Sequence, residues 1–128
     1  MGFWLFMLTI SLLVPLVMIG FGRRFTVKPP AEINPLYGYR TPMSMKNSQT
    51  WAFAHRFCGA IWLRWGLILL PLSVIAMLPF RKHPMDTIGI AGGILCTLQC
   101  VPLIASIFST ERALKKAFDA NGVRRDVP

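Results

Sequence analysis

Apolar positions in this chain gather into three long runs, divided by a proline-rich polar stretch and a short basic turn. Runs of about 18 residues or more are what a bilayer demands of a helix. The pattern therefore predicts an all-α integral membrane protein with spans at about 2–21, 57–78 and 87–108. The first carries Pro15 at mid-span, a kink site that neighbouring helices make tolerable. The second helix is expected to start at Asn47 or Ser48, either of which can cap free amides, and to run to about Leu78. That is roughly 45 Å of helix, so its first turns must stand clear of the hydrocarbon.

Composition agrees with this reading. At 128 residues, 54% hydrophobic and 15% charged, the chain has room for one domain, 1–128, and cannot bury three such runs in a soluble core. A net charge of +9 invites a nucleic-acid reading, but Lys and Arg cluster at the ends of the apolar runs, and no direct nucleic-acid contact is expected. The lipid bilayer, with its anionic head groups, is the expected partner of that charge. Leaving aside Arg56 and Arg64, loop 22–50 and tail 109–128 hold ten Lys or Arg, the second loop two and the amino-terminal stub none. The count puts the N-terminus outside, the C-terminus in the cytoplasm, and the polar loop between helices 1 and 2 on the cytoplasmic side. The first run lacks the leading charge and small-residue site of a cleaved signal, so it is expected to remain as a span. The tail beyond Asn121-Gly122 is expected to be loosely ordered.

Chemistry concentrates where the apolar periodicity stops. Loop 22–50 carries Asn34, Tyr37, Gly38, Tyr39, Arg40, Thr41, Ser44 and Asn47, with a turn expected at Gly38 and non-helical backbone before Pro35 and Pro42. A guanidinium at Arg40 suits a carboxylate, a phosphate or backbone carbonyls. It either pins the loop or recognises an acidic peptide, lipid phosphate or partner. Trp51, His55, Cys58 and Trp62 recur at helical spacing and share one face. His55 is either a hydrogen-bonded packing residue or a titrating spot walled by Trp51. Ser44 and Ser48 suit turn and cap roles. Arg64, flanked by Trp62 and Trp65, either snorkels to the head groups or meets an internal partner. On the third span Gly89 and Gly93 form a small-xxx-small pair that allows close helix approach.

Cys58, Cys96 and Cys100 all lie in apolar runs without the spacing of a metal site, so no metal, cofactor or disulfide framework is expected. The spans hold no acidic relay, and no nucleophile stands with a base, which argues against catalysis.

The run Gly38, Tyr39, Arg40, Thr41, Ser44, Asn47, Trp51 fits a G-Y/F-R-T-x-x-S-x-x-N-x-x-x-W pattern and resembles the SdpI family of bacterial membrane proteins. The three-span layout is similar as well. The resemblance implies a bacterial inner-membrane protein giving immunity to a secreted, membrane-active peptide toxin, with toxin sensing and recruitment of a cytoplasmic repressor. Arg40 would organise the site, shaped by Tyr39, Asn47, Trp51 and His55. So thin a scaffold is expected to associate with copies of itself or another membrane protein. The alternatives are a small accessory subunit of a transporter or envelope complex, and a membrane enzyme acting on a peptide or lipid.

Overall fold

The computed structural model describes residues 2–34 and 38–125. Three long helices account for most of the chain: α1, Gly2–Val27; α2, Ser48–Met77; and α3, Met85–Ala117. A 3-10 turn, Leu78–Phe80, follows α2 and leads into the link to α3. Each helix is long and apolar enough to cross a membrane. Pro15, Pro71 and Pro102 all lie inside helices that continue past them. Most of the surface is hydrocarbon-like, with Leu5, Leu13, Leu72, Ile90, Leu98 and Ile104 all exposed. In water such a surface would aggregate; in a bilayer it is the solvated face.

What holds the helices is therefore shape and a few polar links, because lipid gives no hydrophobic drive between apolar helices. α1 and α2 meet almost backbone to backbone. A methyl on Gly22 would lie 2.6 Å from the Leu63 nitrogen, one on Gly59 2.7 Å from the Phe25 Cβ, and one on Gly66 2.9 Å from the Pro15 carbonyl. The pair expected from sequence behaves differently: Gly93 has open space around its Cα, and Gly89 meets only the Phe3 ring at 3.8 Å. Close approach thus runs through Gly22, Gly59 and Gly66. One glycine on α1 and two on α2, seven positions apart, announce a seam only when the two helices are known to face each other.

α3 is tied in by side chains. The Gln99 amide nitrogen donates to the Ser11 carbonyl and to the Ser73 hydroxyl oxygen, both at 2.7 Å, joining all three helices at a fully buried point. Toward one end the Trp62 indole N–H donates to the Ser106 hydroxyl at 2.8 Å. At the other, the Trp4 indole donates to the Met77 carbonyl at 2.7 Å, among Ile88, Phe3 and Phe80.

The tail departs from expectation. After Ala117 the chain reverses through an Asp119–Gly122 turn, and the Asp119 carboxylate accepts the Asn121 and Val123 amides. Phe118 and Arg124 then pair across the reversal, and the Arg125 amide donates to the Ala117 carbonyl at 2.8 Å. Leu114 and Phe118 are fully buried against Tyr39, Ala54 and Cys58. Leu114 and Phe118 are thus core, and they anchor residues 118–125 in an ordered turn.

Candidate functional site

The candidate site forms where the loop of residues 38–47 folds across the open end of the helices. Its backbone is built by four short polar side chains at three-residue spacing: Thr41, Ser44, Asn47 and Thr50. The Thr41 amide donates to the Ser44 hydroxyl at 2.9 Å, and the Ser44 amide donates to the Thr41 hydroxyl at 3.1 Å. Asn47 and Thr50 repeat the exchange: the Thr50 amide donates to Asn47 Oδ1 at 2.9 Å, and the Asn47 amide to Thr50 Oγ1 at 3.0 Å. The second pair is the capping box that starts α2. The Thr50 hydroxyl faces the Ser44 carbonyl at 3.0 Å and so couples the two boxes. Asn47 Nδ2 also donates to the Gly122 carbonyl at 2.6 Å, which fastens the tail turn to the loop.

Ahead of the boxes the chain passes close over α2. Gly38 has φ +106, a conformation that favours glycine, and a methyl there would overlap His55 Nε2 and lie 3.3 Å from the Trp51 ring. That approach lets the Tyr39 amide donate to His55 Nε2 at 2.8 Å. The other ring nitrogen, Nδ1, is 2.8 Å from the Trp51 carbonyl. A carbonyl only accepts and an amide only donates, so the proton belongs on Nδ1 and Nε2 offers its lone pair. Trp51 packs on the His55 ring at 4.3 Å and sends its indole N–H to the Pro30 carbonyl at 2.9 Å. Phe25 of α1 meets the His55 ring edge-on at 4.8 Å. His55 is thus a buried bracket between loop and helix, the packing alternative of the two read from sequence.

Tyr39 is the second bracket. Its hydroxyl reaches α3, 2.8 Å from a Glu111 carboxylate oxygen and 3.1 Å from the Ile107 carbonyl. Burial first, and then the Glu111 carboxylate, push the Tyr39 pKa well above that of an ordinary phenol. It keeps its proton, and its donor role, throughout the neutral range.

Between the loop and the helices lies a groove of about 430 Å³. α1 supplies Val17, Phe21 and Phe25, α2 Cys58 and Trp62, α3 Ile107, and residues 38–41 close its polar end. Arg40 is exposed and lines that end.

The structure thus gathers Tyr39, Thr41, Ser44, Asn47, Trp51 and His55 into one hydrogen-bonded cluster, with Gly38 packed against it and Arg40 on its groove side. Trp51, His55 and Cys58 are buried and Trp62 half-buried on the shared inward face. Asn34 sits in the first half of the loop, where its amide donates to the Glu32 carbonyl at 3.1 Å. Tyr37 lies outside the described residues. Arg64 is exposed on α2 beside exposed Trp65 and does not line the groove. Glu111, Thr50 and Phe25 were not singled out by sequence. A capping box at Asn47-x-x-Thr50 was readable in principle; a Tyr–Glu pair 72 positions apart was not. Among the described residues no group of three or more His, Cys, Asp or Glu is placed to hold a metal ion.

Three lipid-compatible helices closed at one end by a capped polar loop define a multi-pass membrane protein of the three-span type. The SdpI/YfhL protein family matches residues 31–110, which take in the loop, all of α2 and most of α3, and the chain belongs to that family. It is similar to the uncharacterized protein YfhL of Bacillus subtilis (strain 168), 32% identical over 59 residues. That match covers 46% of this chain and 54% of YfhL, so the chain spans about half the length of this relative. No solved structure matches.

Proposed function

We propose that this chain is a bacterial inner-membrane resistance protein, protecting its cell from a secreted membrane-active peptide, and that the Arg40 loop on the cytoplasmic side is its recognition surface. The observation that carries this reading is the loop itself. Family membership gives the class, and the reciprocal Thr41–Ser44 pair coupled to the Asn47–Thr50 capping box, with the His55 and Tyr39 brackets, holds Arg40 at the mouth of an amphipathic groove. Rigid presentation of a guanidinium suits recognition of an anionic partner, because little order must be lost on binding. The Lys and Arg count of the loop and tail supports a cytoplasmic placement. Repressor recruitment would use the same surface.

The test is survival. Deleting the gene is expected to sensitise cells to a membrane-active peptide made by the same or a neighbouring strain, and Arg40→Ala to reproduce that loss while the protein still inserts. Full protection by Arg40→Ala, or thiol labelling that places residues 38–47 on the exterior, would overturn the reading.

A further inference from the structure

We infer that the groove between α1 and α3 is a binding site for one anionic phospholipid, with an acyl chain along its apolar walls and the phosphate at Arg40. This inference stands apart from the resistance reading and needs none of it.

Three observations point to a lipid. The rim is made of outward-facing apolar side chains, Val17 at 49%, Phe21 at 39% and Ile107 at 45% exposed, on helices that face hydrocarbon. The groove therefore opens sideways into the bilayer, and its nearest and most abundant occupant is the lipid beside it. Its size is the second. A peptide helix, about 10–12 Å across with a 5.4 Å pitch, fills roughly 400–600 Å³ per turn. A groove of about 430 Å³ would hold one turn of helix, a short contact for a peptide, whereas a slender acyl chain can run its length.

Charge is the third. Among the described residues no Asp or Glu lines the groove, and Arg40 closes its polar end. A guanidinium presents its N–H donors in a planar fork whose geometry matches phosphate oxygens. Arg23, Arg24, Lys28 and Lys46 in the same connecting segment and its flanks favour the anionic leaflet lipid over a zwitterionic one. Cys58 and Trp62 lie deeper and supply the apolar back wall.

The experiment uses the full chain in nanodiscs of mixed phosphatidylglycerol and phosphatidylcholine, followed by native mass spectrometry on gentle release. One phosphatidylglycerol retained per chain, in preference to phosphatidylcholine, is the expected result. Arg40→Gln should lower that retention about tenfold, the worth of one charge-assisted contact, without changing loosely held phosphatidylcholine. Since Arg40→Gln could disturb the loop, Val17→Trp on the exposed rim provides a second arm: it should block the groove while the loop stays folded. Equal retention of the two lipids, or phosphatidylglycerol held undiminished by both variants, would overturn the proposal. So would displacement of no lipid by Val17→Trp together with loss of photocrosslinking to an anionic amphipathic peptide, which would give the groove to a peptide instead.

Discussion

The two ends of the bundle are built on different terms. At the loop end, Gly38, Tyr39, Thr41, Ser44, Asn47 and Thr50 are linked into one network that reaches α2, α3 and the tail turn. At the other end, residues 81–86 are all exposed, and the closure rests on Trp4 donating to one carbonyl above a small apolar cluster. Both ends only have to join helices, and the second shows how little is needed for that. The extra order at the loop end goes into fixing the position of particular groups, and Arg40 and the groove are what it fixes.

That contrast gives a graded set of expected outcomes for unfolding in detergent micelles. Gly38→Ala should be the most damaging, at about 3 kcal/mol or more, because it combines left-handed backbone with overlap on His55. Tyr39→Phe should cost about 1–3 kcal/mol, since the buried hydroxyl serves Glu111 and the Ile107 carbonyl. Asn47→Ala should cost about 1–2 kcal/mol through the lost cap, and should also expose residues 118–125 to protease as the Gly122 contact goes. At the opposite end Trp4→Phe should cost about 1 kcal/mol, one hydrogen bond with the ring retained. His83→Ala, on the exposed turn, should stay within about 0.5 kcal/mol. A turn-end change as costly as Gly38→Ala would dissolve the distinction between the two ends.

The helices were legible because their signals are local and repeated. Twenty or so apolar residues in a row have one stable home, and Asn47 followed by an apolar run marks a helix start that the structure places at Ser48. That Trp51, His55, Cys58 and Trp62 share one face followed from spacing alone; that the face turns inward did not. Long-range pairings did not. Glu111 looks like a solvated tail residue until Tyr39 is seen to reach it, and Leu114 and Phe118 look like the apolar edge of a helix in water until Tyr39 joins them in one cluster. Single residues 70 or more positions apart leave no periodic trace, and the order of the tail depends on such pairings. The glycine seam was hidden for the same reason: Gly22, Gly59 and Gly66 mean little before α1 and α2 are side by side.

Gln99 shows the same economy inside the bilayer. Its nitrogen serves two helices, while its Oε1 is buried with no hydrogen-bond partner among the described residues. The α1–α2 seam rests on close backbone approach at glycines, whereas α3 is held through side-chain links such as this one.

The contact from Asn47 to Gly122 bridges 75 positions, almost to the last residue described. A ribosome making this chain would thread all three rods into the bilayer before it delivered the piece that locks the loop. The arginine surface therefore becomes fully set only once Gly122 has emerged, so a nascent copy short of that residue, or one clipped before it, would sit in the membrane with its rods in place and its reading head unlatched.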